Sequence, residues 1–160
     1  MKELKIELKV GGNGTAGSTT SQLYYPYGIC IDVNNGLYVA DQYNHRIQRF
    51  VSGSTTGVTI CGTSGSAGSW SYQLNYPTSV TVDQFSNIFI MDAGNIRVQK
   101  WVYGAAYGTT IVPSGFSSPK GIALSPYSHI AVADQSYHRI VQFTVDCRMF
   151  IFLTLLINLI

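Results

Sequence analysis

One pattern is written three times along this chain. It runs from Pro26 through Asp41 to Arg46, from Pro77 through Asp92 to Arg97, and from Pro119 through Asp134 to Arg139. Each Pro precedes its Asp by 15 residues, and each Asp precedes its Arg by 5. The units start 51 and then 42 residues apart. Fixed spacing inside units of this size marks a repeat array, in which each unit buries its apolar face only against its neighbours. That constraint outranks any local motif.

Within a unit the punctuation is that of short antiparallel strands. Pro26 has a preset φ and no amide hydrogen, which suits a strand entry, and Gly28 lets a neighbouring backbone come close. Ile29-Cys-Ile-Asp-Val33 reads as a buried strand. Asn35-Gly36 is a hairpin signal, and Leu37-Tyr-Val-Ala40 is the returning strand. Asp41 to Asn44 is a turn. His45 to Phe50 alternates as a third strand, Ser52 to Gly57 is a loop, and Val58 to Cys61 is a fourth strand. Four short strands in 40 to 50 residues, repeated, make the blades of an all-β propeller. Period-two alternation assigns four sets of equivalent positions to the core. They are Leu37, Ile88 and Ile130; Val39, Ile90 and Val132; Ile47, Val98 and Ile140; and Phe50, Trp101 and Phe143.

Composition agrees with stacked sheets. Apolar residues make up 46% and charged residues only 11% of 160 positions, and 16 glycines punctuate the strands. The net charge of +2 selects no class of partner. Met1 to Val10 alternates Lys and Glu with apolar residues. It reads as a leading strand and not as a secretory leader. Cys30, Cys61 and Cys147 have neither disulfide nor zinc spacing, so they read as free thiols. Together these features favour a reducing, cytoplasmic compartment. From Cys147 the chain becomes almost wholly apolar. Twelve such residues are too few to cross a bilayer as a helix, for which about 17 to 25 are needed. Residues 147–160 are therefore read as a tail outside the fold: packed on a sheet, weakly associated with a membrane, or foreign to the repeat, which stops mid-unit there.

The motif Pro-x-Gly-Ile-x-Val-Asp…Tyr-Val-Ala-Asp…Asn-His-Arg-Ile-Gln-x-Phe resembles the NHL repeat family, and Asn44-His45-Arg46-Ile47 carries its signature letters. The resemblance spans residues 22–146, with repeats at about 22–61, 73–112 and 115–146. Ser79 stands for Gly, Ile96 for His, Tyr137 for Asn and Ser125 for the strand-end Asp. The resemblance implies a propeller of four-stranded blades, usually six. Three motifs and a leading strand are an incomplete ring. The chain is thus expected to be a fragment of a longer protein, to associate, or to be an incomplete product. A homodimer would supply six blades.

Candidate chemistry is sparse. Asp41, Asp92 and Asp134, with Arg46, Arg97 and Arg139, recur in every unit. They read as structural pairs with bidentate geometry, since a unique active site does not repeat. Asp32 and Asp83 read likewise. His45, His129 and His138 lack the spacing of metal ligands, and no nucleophile motif occurs. Gly11 to Gly17 imitates a phosphate loop, but it has no Lys and no following helix. With its echo, Gly62 to Gly68, it reads as an inter-blade loop. No catalytic residue, metal site or cofactor is expected. Loops on one face carry Tyr24, Tyr25, Tyr43, Trp70, Tyr72 and Tyr137, and exposed loop aromatics favour recognition of a protein or peptide. Two other functions stay open through the resemblance: RNA binding, and a metal-dependent lyase or hydrolase.

Overall fold

A computed structural model describes residues 11–125 and 129–144. The expectations for Met1 to Val10 and for residues 147–160 lie outside them. Among the described residues, eleven strands form three antiparallel sheets. The first holds β1 (Pro26–Ile31), β2 (Leu37–Asp41), β3 (Arg46–Phe50) and β4 (Val58–Gly62), in that order. The second holds β5 (Pro77–Val82), β6 (Ile88–Asp92), β7 (Arg97–Trp101) and β8 (Thr109–Val112). The third holds β9 (Pro119–Leu124), β10 (His129–Asp134) and β11 (Arg139–Thr144). These are blades of a β-propeller, with β1, β5 and β9 as innermost strands: β1 packs on β5, and β5 on β9.

The first hairpin closes as its sequence dictates. Asp32 Oδ1 accepts the amides of Asn34 (2.9 Å) and Gly36 (2.7 Å), while Asn35 takes a positive φ of 60°. Asp83 repeats this with Phe85 and Asn87, and Ser86 takes the positive φ. In the third blade Ser125 stands in, its Oγ accepting the His129 amide at 3.1 Å. Gly28 is needed for the close approach of blades. A Cβ there would sit 2.6 Å from the Thr78 carbonyl oxygen and 2.8 Å from Ser79 Cα, so any side chain would push β1 off β5.

The core lies between blades. Tyr38, Ala40, Ile47 and Cys61 of the first blade pack with Leu74, Val80, Ile88, Ile90 and Trp101 of the second. Phe89, Met91, Val98 and Val112 then pack with Phe116, Ile130 and Val132 of the third. Alternation decides this division: odd and even residues of a middle strand serve opposite neighbours. Four positions depart from the sequence expectation. Val33, expected in the first buried strand, lies beyond the end of β1 and is 84% exposed. Ile29 and Ile31 are 65% and 64% exposed on β1, and Ile140 is 69% exposed on β11. Their counterparts Val80 and Val98 are buried because a blade lies against them. Among the described residues no blade precedes the first or follows the third. Leu37 and Phe143 are half-buried.

Between the second and third strands of each blade lies one turn of 3-10 helix, at Gln42–Asn44, Ala93–Asn95 and Gln135–Tyr137. The next residue is left-handed each time: His45 at φ 54°, Ile96 at 54° and His138 at 49°. That conformation turns the chain back so the following Arg pairs with the preceding Asp, and it displaces His45 from the strand expected to include it. Ile96 is the anomaly, since a β-branched residue is strongly disfavoured at positive φ. The 39% exposed side chain belongs to neither core cluster. Ile96→Gly is therefore expected to stabilise the protein by about 1 kcal/mol through relief of that strain. A rise in the urea midpoint at unchanged slope would show it.

Candidate functional site

Each blade builds the same anchor. In the first, Asp41 and Arg46 meet with Nε 2.7 Å from Oδ2, both side chains almost fully buried. The remaining guanidinium hydrogens do not fork onto the carboxylate, as the sequence reading expected. Nη1 donates to the Ser18 carbonyl (2.8 Å) and Ser64 Oγ (3.1 Å), and Nη2 to the carbonyls of Thr19 and Gln22 (both 3.0 Å). Asp41 Oδ1 accepts the Tyr24 amide at 2.7 Å, and Asn44 Nδ2 bridges Asp41 Oδ2 to the Gly17 carbonyl. The pair thus ties the preceding inter-blade loop to its blade. The glycine-rich segment that imitated a phosphate loop gives its Gly17 carbonyl to Asn44, and the residues just after it give carbonyls to Arg46, the opposite of an anion cradle.

The second anchor copies the first. Arg97 Nε lies 2.7 Å from Asp92 Oδ2 and its other nitrogens reach the carbonyls of Ser69, Trp70 and Gln73. Asn95 takes the place of Asn44, and the Asn75 amide donates to Asp92 Oδ1. Burial pushes the Asp92 carboxyl above its ordinary value against the pull of Asn95, Asn75 and Arg97. The third anchor is looser. Arg139 Nε stands 3.4 Å from Asp134 Oδ2, its side chain is 47% exposed, and Tyr137 replaces the bridging Asn. The Arg139 guanidinium lies over the Tyr137 ring instead, at 4.8 Å. Burial tends to raise the Asp134 carboxyl, but the amides of Ser118 and Ser117 and the nearby Arg139 outweigh it and hold it below the usual value.

The first two anchors present a cluster of rings. Tyr24, Tyr25 and Tyr43 stand with centroids 4.7 to 5.3 Å apart. Tyr76 joins edge-on to Tyr43 at 5.2 Å, and His45 meets Tyr76 at 4.6 Å. All four tyrosines remain at least 40% exposed. The cluster therefore spans the boundary between two blades. Tyr25 and Tyr76 each precede a proline and each hold a positive φ, 49° and 45°, where bulky residues are rare. Beside them a groove of about 560 Å³ is lined by Gly11, Gly12, Thr15, Leu23, Tyr24 and Tyr25, among others.

Of the six expected recognition residues, three come together: Tyr24, Tyr25 and Tyr43. Trp70 and Tyr72 are exposed on the next inter-blade loop, without a ring contact among the described residues. Tyr137 belongs to the third anchor. Sequence reasoning missed Tyr76 and His45, although the shared Tyr-Pro step at Tyr25-Pro26 and Tyr76-Pro77 was a signal for the first. His45 Nδ1 accepts the Tyr76 amide at 3.1 Å, which requires the neutral ring. Burial lowers its pKa from the ordinary 6.5, against an opposing pull from Asp92. The unfolded chain therefore takes up this proton first. The stability due to neutral His45 is full above pH 6.5 and is lost as pH falls through the lower folded value. Urea midpoints measured from pH 7.5 down to 5 are expected to fall for the wild type and to fall less for His45→Asn, which tolerates the left-handed backbone.

Among the described residues no three of His, Cys, Asp or Glu come together to hold a metal ion. Cys30 and Cys61 are free thiols, and burial raises Cys61 far above the range in which thiolates form.

Comparison with known proteins fits the anchors. The NHL repeat family model matches residues 23–50, from the first tyrosines through β3. Residues 23–50 are an NHL repeat. Its Asn, His and Arg now have physical meanings as loop bridge, left-handed corner and carbonyl clamp. The chain is 27% identical over 141 residues to the peptidyl-glycine alpha-amidating monooxygenase of Mus musculus, and 28% to that of Rattus norvegicus. Each match covers 80% of this chain and 14% of the relative, so the chain spans about a seventh of their length. Its blades superpose on a streptogramin B lyase structure with a TM-score of 0.61 and 16% identity, covering 82% of this chain and 40% of the lyase. A Bacteroides thetaiotaomicron protein of unknown function gives 0.62 and 18%, covering 74% and 34%. At such identity these structures establish the fold alone, a β-propeller.

Proposed function

We propose that this NHL-repeat chain is a non-catalytic recognition scaffold that binds protein or peptide segments on its tyrosine-bearing face. The observation that supports the reading most is the contiguous cluster of Tyr24, Tyr25, Tyr43 and Tyr76, exposed and yet fixed in place. Two of its rings sit on left-handed, pre-proline backbone. Strain of that kind persists only where the surroundings hold it, and it concentrates at ligand-contacting positions. Buried ion pairs supply the hold. Rigid aromatic rings give large contact area at little entropic cost, and so they dominate protein recognition.

Charge argues for a peptide over RNA. RNA affinity rests on neutralising phosphates. Every described arginine is already engaged in an ion pair with Asp41, Asp32, Asp92 or Asp134. The named activities of the amidating monooxygenases and of the lyase belong to those proteins, and the described residues offer no ligand set for a metal-dependent counterpart.

The test is selection from a random peptide library on the immobilised chain, with random-sequence single-stranded RNA as the parallel probe. Peptides are expected to be enriched whose affinity drops roughly tenfold or more with Tyr25→Ala or Tyr43→Ala, as for an anchor at an interface centre. Peptides that bind these variants as tightly as the wild type would defeat the assignment. So would an RNA affinity that collapses with salt and exceeds that of any selected peptide.

A further inference from the structure

A cleft opens between the first and second blades, at the end of the strands away from the tyrosine cluster. It holds about 290 Å³ and is lined by Tyr38, Arg49, Ile60, Ile88, Trp101 and residues 102–105 of the β7–β8 loop. Tyr38 and Arg49 face each other beside the β1–β2 hairpin, whereas Tyr43 lies in the turn at the other end of β2 and β3. Both walls come from four-stranded blades, so neither is an end of the array.

Arg49 is the one charged side chain among the residues lining this cleft. Arg46 and Arg97 spend Nε and both Nη groups on carboxylate and carbonyls. Arg49 does not. Its Nη2 makes one long contact with Asp32 Oδ2, at 3.3 Å, and its Nε is buried with no hydrogen-bond partner among the described residues. Asp32 is 6% exposed, gives Oδ1 to the hairpin amides and does not line the cleft. The guanidinium stands over the Tyr38 ring at 5.5 Å, with its side chain 31% exposed. A buried N–H without an acceptor costs free energy that an arriving oxygen recovers. The surrounding residues also change along the repeat. In register, Tyr38 faces Arg49, Phe89 faces Lys100 and Ala131 faces Gln142. The Asp–Arg anchors stay the same in all three blades. The Tyr–Arg pair occurs in one blade only, so it is not needed to build a blade.

We infer that this cleft binds a small monocarboxylate with an apolar body, its carboxylate on Arg49 and its body against Ile60, Ile88 and Trp101. The planar guanidinium offers N–H groups in a fork that matches the two oxygens of a carboxylate. A single cation among apolar walls suits one negative charge, not the two of a phosphate monoester. Ligand cavities run from about 300 to 1,000 Å³, so this one takes a small molecule and not a peptide segment. The site is separate from the tyrosine cluster and stands or falls without it.

Fluorescence titration of the full chain with 4-phenylbutyrate, and with its neutral amide, tests this. The chain has 2 tryptophans, so Trp70→Phe leaves Trp101 in the cleft wall as the sole reporter. In that background the carboxylate is expected to shift the emission saturably and to bind about tenfold more tightly than the amide, as a hydrogen bond to a charged group allows. Arg49→Met keeps most of the apolar stem, and it should lower the affinity for the carboxylate to that for the amide. Ala105→Leu fills the cleft from a half-buried loop position, and it should weaken both probes alike with Arg49 still in place. An emission that does not respond saturably to the carboxylate overturns the inference. So does equal affinity for acid and amide, an Arg49→Met variant that binds the acid as the wild type does, or an Ala105→Leu variant that leaves both affinities unchanged.

Discussion

Replacing Arg46 with alanine is expected to destabilise the protein by about 3–5 kcal/mol, the cost of leaving a buried charge without its partner. Arg46 and Asp41 are 3% and 0% exposed, and the guanidinium also satisfies the carbonyls of Ser18, Thr19 and Gln22. Its loss orphans the Asp41 carboxylate and several loop oxygens at once. The repeat supplies an internal control. The equivalent arginines are progressively more exposed, 11% at Arg97 and 47% at Arg139. Solvent screens the last pair, so Arg139→Ala should cost under about 1 kcal/mol, with Arg97→Ala between the two. Urea unfolding of the three variants reads the order directly. Equal losses at all three would show that the pairs contribute through the register of the strands they join and not through their burial. Arg46→Lys should recover little, because one ammonium cannot reach carboxylate and carbonyls together.

The same anchor couples stability to the placement of the ring cluster. Asp41 accepts the Tyr24 amide and Tyr43 donates its own amide to the Tyr24 carbonyl, so Tyr24 is held through both of its backbone groups. Loosening Arg46 frees the loop that positions Tyr24 and Tyr25 even where the blade survives. The most costly polar residues of this repeat thus act on the ring cluster through the backbone.

What the sequence shows of this fold is what is local. The spacing from Pro to Asp to Arg places three strands, two turns and an ion pair in each blade. Alternation names the core of the middle blade correctly, including Ile88, Ile90, Val98 and Trp101. It errs at Ile29, Ile31 and Ile140 because burial there depends on a neighbouring blade, and periodicity reports only which way a side chain points. The anchors were half legible. The Asp–Arg pairing follows from a separation of 5 residues across a hairpin, whereas the carbonyl clamp joins Arg46 to residues 24 to 28 positions earlier. No pairwise spacing announces that contact, since any residue type presents a carbonyl. The ring cluster was legible where tyrosines neighbour in sequence, as at Tyr24 and Tyr25. It was hidden where the fold brings Tyr76 of the next blade beside Tyr43.

Trp101→Ala is expected to cost about 3–5 kcal/mol, the range for truncating a buried tryptophan and leaving part of its volume empty. Trp101 is 2% exposed and closes the cluster between the first two blades. Gly108 runs so close beneath the ring that even a methyl group there would collide with it, so the surrounding chain is already in contact and has little room to collapse into the cavity. Phe50 fills the equivalent place in the first blade and is fully buried, and Phe50→Ala should cost a similar amount. Phe143 holds the same register in the third blade but is only half-buried, edge-on to Phe116. Less area leaves water when it packs, so Phe143→Ala should cost about 1–2 kcal/mol. Phe143 packs against the cluster between the second and third blades, so its loss, like that at Trp101, is read within a single chain. Urea midpoints of the three variants give the order, and a Phe143 effect equal to that of Trp101 would mean that the third blade is as fully packed as the second.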